Sequence, residues 1–246
     1  SEVFDVTLGF RHFSLDAEGD SDMTFALYGL APSSGLHENK EQDTLYKLNL
    51  AYMPEENQTW YATISEGFRR GGINAVPTEG TFIEEEGWVP FTSDKVLNYE
   101  FGRKGITENN VYYNLSFYKV IWKDPQLNTD TPNYSFYAVI NGDEAKTQGI
   151  DIELKGTIGK LDWDFGYARN KSELTGDLFT PASTPLLYAP NGTSLPGTPE
   201  NMLNAGVAYT SYFNNGWGIV HRGNLYHQSD MKLSLIHISE PTRRYA

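Results

Sequence analysis

Cysteine is absent from the 246 residues, which removes disulfide scaffolds, thiolate zinc sites and cysteine nucleophiles and leaves the redox compartment open. A surplus of basic charge is also lacking. Nineteen Lys and Arg stand against 32 Asp and Glu, a formal net charge of −13, so the chain has no cationic footprint with which to displace counterions from nucleic acid. No run of about 18 apolar residues occurs, which excludes a transmembrane helix. It does not exclude a membrane barrel, whose strands alternate between lipid and a polar lumen. The five histidines are scattered, without HxxxH or His-carboxylate spacing, so no metal site, catalytic residue or cofactor is read. A phosphate-cradling glycine loop and a Gly-x-Ser-x-Gly elbow are missing too. Aromatic residues are plentiful: 16 Tyr, 13 Phe and 5 Trp.

Period-two alternation recurs along the chain, and no stretch holds a helical i, i+3, i+4, i+7 stripe. The clearest segments are Val111, Tyr113, Leu115 and Phe117 against Asn114 and Ser116; Ile150, Ile152 and Leu154 against Asp151 and Glu153; and Leu161, Trp163, Phe165 and Tyr167 against Asp162 and Asp164. Similar segments surround Phe4–Phe10, Tyr46–Tyr52, Trp60–Ile64, Leu97–Phe101 and Leu203–Tyr209, and a ninth, Trp217–His227, alternates poorly. The pattern predicts nine strands, with the apolar sets facing lipid and the polar sets facing a lumen.

The connections carry a second regularity. Short polar turns near Pro54–Asn57, Ile106–Asn109, Thr157–Gly159 and Phe213–Gly216 alternate with long connections at about Ser14–Asp43, Phe68–Asp94, Lys123–Ala145 and Lys171–Pro199. Structureless loops of that length are uncommon in compact soluble domains. Short periplasmic turns and long extracellular loops are the rule in outer-membrane barrels. Tyr52, Trp60, Tyr61, Tyr112, Tyr113, Trp163, Tyr209, Tyr212 and Trp217 fall beside the short turns, as a belt of rings at the headgroup level would.

Five motifs in order carry a family resemblance. Ser65-Glu-Gly-Phe-Arg-Arg-Gly-Gly-Ile-Asn74, Leu97-Asn-Tyr-Glu-Phe-Gly-Arg-Lys-Gly105, Phe117-Tyr-Lys-Val-Ile-Trp-Lys-Asp-Pro-Gln126, Lys146-Thr-Gln-Gly-Ile-Asp-Ile-Glu-Leu154 and Leu195-Pro-Gly-Thr-Pro199 resemble successive strands of TonB-dependent outer-membrane receptors, closest in flavour to siderophore receptors. The resemblance implies an all-β, antiparallel up-and-down transmembrane barrel, of which about nine strands of roughly 22 are present. It also implies active uptake of a scarce nutrient, a ferric siderophore foremost, energised through TonB in the bacterial outer membrane, with no chemistry performed on the ligand. The implied partners are the siderophore or a similar ligand, outer-membrane lipid and lipopolysaccharide, and the TonB complex through an N-terminal region outside this sequence. Two other readings stay open: a passive porin-type channel, and a soluble extracellular β-sheet protein that binds or cleaves carbohydrate.

Phe68, Arg69, Arg70, Asn74, Trp122 and Gln126 are the candidate ligand-binding residues, placed at the extracellular mouth by this topology. Gly67, Gly71 and Gly72 permit positive φ and close backbone approach there. Arg69 and Arg70 are candidate contacts to an anionic ligand or lipopolysaccharide phosphate, against the plainer reading of solvated arginines on a glycine-shaped turn. Asp16, Glu18, Asp20 and Asp22 invite calcium through hard oxygen ligands, but they lack the central glycine and closing Glu of a defined loop and read as a solvated acidic segment.

The organisation expected is a partial barrel over 1–232 and an unrelated tail over 233–246. Leu233-Ser-Leu-Ile-His-Ile-Ser-Glu-Pro-Thr-Arg243 resembles the translation of a transposase adapter used in sequencing libraries, and Pro241, Arg243 and Arg244 suit no lipid-facing strand. The chain also opens in what reads as mid-strand, so it is read as a fragment. Independent sequencing of unfragmented DNA should diverge just after Lys232; recovery of the same codons would refute the adapter origin.

Overall fold

The computed structural model describes residues 3–24, 27, 29 and 32–232; the tail expected over 233–246 lies outside them. Nine strands form one antiparallel sheet in which every strand pairs with its sequence neighbours. They are β1 (Phe4–Met23), β2 (Ser33–Glu55), β3 (Gln58–Arg69), β4 (Asp94–Ile106), β5 (Tyr112–Lys123), β6 (Glu144–Ile158), β7 (Leu161–Leu174), β8 (Asn201–Tyr212) and β9 (Gly218–Gln228). No α-helix occurs among the described residues. The four short connections are tight turns. Two of them use left-handed glycines, Gly159 at φ 64° and Gly216 at φ 83°, a conformation that costs glycine no Cβ clash.

Register converts the alternation into two faces, because directly paired residues share a side of the sheet. Leu115 pairs with Ile152, and Ile152 with Tyr167; Leu154 pairs with Phe165. Trp163 pairs with Val207, Phe117 with Phe101. On the opposite face Asn114 pairs with Glu153, Ser116 with Asp151, Thr157 with Asp162, and Lys155 with Asp164. The apolar and polar sets therefore separate as the sequence predicts. Among the described residues no second sheet covers the apolar face: Phe10 is 82% exposed, Leu8 78% and Phe117 58%. A soluble sandwich would bury these side chains, so the soluble reading loses its physical basis.

The structure differs from the sequence expectation in three places. First, Ser14–Asp43 is not a long loop. β1 and β2 stay in register from Phe4↔Tyr52 to Met23↔Ser33, so the hairpin runs well past the 9–11 residues that a crossing strand needs. Here both faces are polar, so hydropathy gives no strand signal, while the ladder itself persists. β2 pairs with β3 only as far out as Lys47↔Ser65, so the outer part of the hairpin has left the wall. Second, Tyr61, Tyr112 and Tyr212 do not join the outward rings. Tyr61 and Tyr112 adjoin the outward aromatics Trp60 and Tyr113, and neighbours in a strand point to opposite faces. Tyr212 shares the face of Ala208, whose partner is the inward Asp162. Tyr61 instead donates its hydroxyl to Glu100 at 2.7 Å. Third, Gly67, Gly71 and Gly72 have no positive φ; what requires glycine at position 71 is close approach, since a Cβ would meet Glu41 Oε1 and the Phe91 carbonyl at 2.6 Å.

The buried apolar core sits in the loops. Val76, Trp88, Val89, Leu127, Ile140 and Leu178 belong to one cluster, and Trp88 is 1% exposed. Two-stranded ribbons, Gly72–Ile73 with Pro90–Phe91, Gln126–Asp130 with Tyr137–Asn141, and Leu178–Phe179 with Leu187–Ala189, satisfy part of the loop backbone.

Leu154 lies midway along the outward apolar run of β6. In the complete receptor, Leu154→Lys should lower folding stability in lipid vesicles by about 2–4 kcal/mol, whereas Glu153→Lys, one residue away on the other face, should cost about 1 kcal/mol or less. Heat-modifiable migration across a denaturant series checks this, and equal or reversed effects would invert the face assignment.

Candidate functional site

The end of β3, the start of β4, the end of β5 and the loop after it meet at the rim, where the polar face emerges from the sheet. Their meeting point is a carboxylate. Asp94 opens β4 directly opposite Arg69, the last residue of β3, and is 2% exposed. It ion-pairs with the Arg69 guanidinium, whose Nε donates at 2.9 Å, and it accepts the Arg69 backbone N–H at 3.1 Å. Trp122 Nε1 donates to it at 2.8 Å, and the Gln126 backbone N–H at 3.2 Å. The Arg69 guanidinium also lies 5.1 Å from the Trp122 ring centroid and donates to the Gln126 carbonyl at 3.1 Å. A buried charge is tolerable when it is paired and its lone pairs are filled. Asp94 meets both conditions, and it fixes three segments of chain in doing so.

The structure thus brings Arg69, Trp122 and Gln126 together and sets the other candidates apart. Gln126 Nε2 donates to the carbonyls of Arg70 (2.9 Å) and Thr92 (3.0 Å). Asn74 is 6% exposed; its amide donates to the carbonyls of Trp88 (2.8 Å) and Val139 (2.7 Å) and accepts the Val139 N–H (2.8 Å). It stitches two loops together. Phe68 stacks on Phe13 at 3.7 Å between ring centroids, tying the outer β1–β2 hairpin to β3. Arg70 alone of the six has an exposed side chain with no hydrogen-bond or ion-pair partner among the described residues.

Other carboxylates perform the same service as Asp94. Glu84 is 3% exposed and accepts from Thr131 Oγ1 (2.7 Å), Asn133 Nδ2 (3.0 Å) and the Tyr134 N–H (3.1 Å). Glu41 accepts the backbone N–H groups of Ser93 (2.7 Å) and Gly71 (3.3 Å). Asp43 ion-pairs with Lys95, whose hydrogen bond, helped by the Thr44 N–H, holds its carboxyl below the usual range. None of these acids was a candidate from sequence, because their partners lie about 20 to 50 positions away. The available signal was modest: Asp94 is a lone acid at the start of a strand, Glu41 and Asp43 are unmarked acids inside β2, and Glu84 heads the acidic run Glu84–Glu86, which by itself reads as solvated.

A cleft of about 740 Å³ opens between the outer hairpin and the loop after β3, lined among others by Asp20, Asp22, His37, Glu38, Glu79 and Glu86. Asp16, Glu18, Asp20 and Asp22 alternate along β1 on one exposed face. Among the described residues no three His, Asp or Glu converge in metal-binding geometry. The cleft's negative lining disfavours an anionic chelate.

A nine-stranded wall with an uncovered apolar face, short turns at one end and stapled loops at the other matches one family throughout. The family profile "TonB dependent receptor-like, beta-barrel" covers residues 1–240. The chain belongs to the TonB-dependent receptor family. It is a β-barrel protein of the bacterial outer membrane. Over 140 residues it is 27% identical to the pesticin receptor of Yersinia enterocolitica, a match spanning 56% of this chain and 20% of that receptor. Among solved structures it resembles the ferric yersiniabactin uptake receptor FyuA from Yersinia pestis, with TM-score 0.66 and 21% identity over 90% of this chain and 31% of that one. It also resembles the siderophore receptor PiuA from Acinetobacter baumannii, with TM-score 0.63 and 17% identity over 92% and 34%. The chain therefore spans about a fifth of the length of the curated relatives it matches, and about a third of these receptor structures.

Replacing Asp94 with Ala leaves the Arg69 guanidinium, Trp122 Nε1 and the Gln126 N–H without their shared acceptor. The cost should be about 3–5 kcal/mol, confined to the rim. Hydrogen exchange should rise at residues 70–93 and 124–130 while the barrel keeps its heat-modifiable migration; unchanged exchange would show that the loops are held by other contacts.

Proposed function

We propose that the protein is an energised uptake receptor for a ferric siderophore, coupled through TonB, to which this chain contributes lipid-facing wall, lumen surface and the loops that catch the ligand. The observation that carries the reading is the rim: a membrane wall capped by loops that have their own core and a buried Asp94–Arg69–Trp122 junction. A passive channel needs no such ordered mouth, and the family assignment does not favour one. The names of the structural neighbours, a ferric yersiniabactin uptake receptor and a siderophore receptor, support an iron chelate as the ligand class.

Within the rim the candidate residues divide by role. Arg69, Asn74, Trp122 and Gln126 hold the loops in position, and Arg70 is left to meet an anionic chelate through its guanidinium. Phe68 fixes the outer hairpin.

The test is uptake of radio-iron as ferric yersiniabactin by cells carrying the complete receptor. Uptake should stop when an uncoupler collapses the proton gradient; continued uptake would indicate a passive channel. Arg70→Ala should weaken binding about tenfold at low salt and less at high salt. Glu55→Gln and Glu108→Gln, in the short turns, should leave binding intact. Loss from the turn variants alone would reverse the inside-outside orientation.

A further inference from the structure

The outward face changes character abruptly as it leaves the apolar band. Phe117, Ile150 and Arg169 stand in one cross-strand row, since Ile150 pairs with both Phe117 and Arg169. One step outward the row reads Lys119, Gln148, Lys171, and the next places Ile121, Lys146 and Glu173 side by side. Lys119, Lys146, Arg169 and Lys171 thus occupy neighbouring positions on three adjacent strands, on the loop side of the band. Glu173 is the one carboxylate among them, and it is shared, by Lys146 at 3.0 Å and Lys171 at 2.6 Å. Glu144, further out, accepts a hydrogen bond from Thr175. Lys119 and Arg169 are exposed and have no carboxylate partner among the described residues. In a chain with 13 more acids than bases, this local surplus of three positive charges runs against the general composition.

We propose that this patch on β5–β7 binds the phosphate groups of the outer-leaflet glycolipid, lipopolysaccharide. Strands are about 4.8 Å apart, so Lys119 and Lys171 are separated by about 10 Å, and their stems let the ammonium groups converge on one phosphate from either side. Arg169 supplies a planar two-pronged donor below them. The depth fits as well. Charges directly above exposed Phe117 and half-buried Ile150 lie at the headgroup plane, where an anionic lipid is the available counter-charge. A lumen ligand does not meet this face.

The experiment uses the complete receptor in neutral detergent, with lipid binding read by native mass spectrometry. Diphosphorylated lipid A should bind more tightly than its fully dephosphorylated form. The triple substitution Lys119→Gln, Arg169→Gln, Lys171→Gln should lower its affinity about fivefold for each charge removed. Lys160→Gln, in the short turn at the opposite end, should leave it unchanged. Inorganic phosphate at equal concentration should not compete. If the triple variant loses heat-modifiable migration, Lys119→Gln alone carries the test, because that side chain holds nothing else in place. Wild-type affinity in a folded variant, equal binding of the dephosphorylated lipid, or competition by inorganic phosphate would each overturn the assignment.

Discussion

Backbone hydrogen bonding is the constraint on which the rest depends. In hydrocarbon an unpaired N–H or C=O costs several kcal/mol, so strands can cross only as members of a continuous ladder. β2 to β8 meet that demand by pairing with both sequence neighbours, and β1 and β9 each pair along one edge. Period-two side-chain order then follows, because one face of such a ladder meets lipid and the other a polar lumen. The absence of a covering layer over Phe10, Leu8 and Phe117 is the ordinary condition of a surface whose solvent is the bilayer. The same face is finished at its outer edge by lysine and arginine, and at the short-turn end by a cation seated on a ring, Arg103 lying 4.7 Å from the Trp60 ring centroid.

Outside the bilayer the constraint relaxes and another device takes over. The loops lie in water and carry a small apolar core, but the contacts that lock them to one another and to the wall are carboxylates receiving several donors apiece. Asp94 gathers β3, β5 and the following loop; Glu84 joins the loop after β3 to the one after β5; Glu41 joins the outer hairpin to Gly71 and Ser93. Hydrogen bonds to charged acceptors are stronger than neutral ones. This gives part of the acidic composition a physical reason. Acids in the long connections are structural where they are buried, as Glu84 is, and solvated where they alternate along an exposed strand, as Asp16 to Asp22 do.

What was legible in the sequence follows the same division. Inside the band, apolar alternation encodes strand and face together, so the nine strands and the opposition of Leu115, Ile152 and Phe165 to Asn114, Asp151 and Asp164 were readable from the residues. Above the band both faces are polar, and the continuation of β1 and β2 past Ser14 and Asp43 left no hydropathic trace. Runs of two aromatics could not be assigned to a face without register, which is why Tyr61, Tyr112 and Tyr212 moved from the belt to the lumen side. For the rim, the motifs drew attention to Arg69, Trp122 and Gln126, yet the residue that unites them, Asp94, has no local signature, because its partners arrive from 25 to 32 positions away.

The central claim is that the apolar face of β6 is in contact with lipid along its length. Since the chain has no cysteine, a single cysteine introduced in turn at positions 150 to 155 adds one labelling site to this segment each time. With an environment-sensitive fluorophore at each site in the complete receptor in bilayers, brominated acyl chains should quench positions 150, 152 and 154, and aqueous quenchers should act at 151, 153 and 155. Inverted alternation, or uniform quenching at all six, would contradict the account.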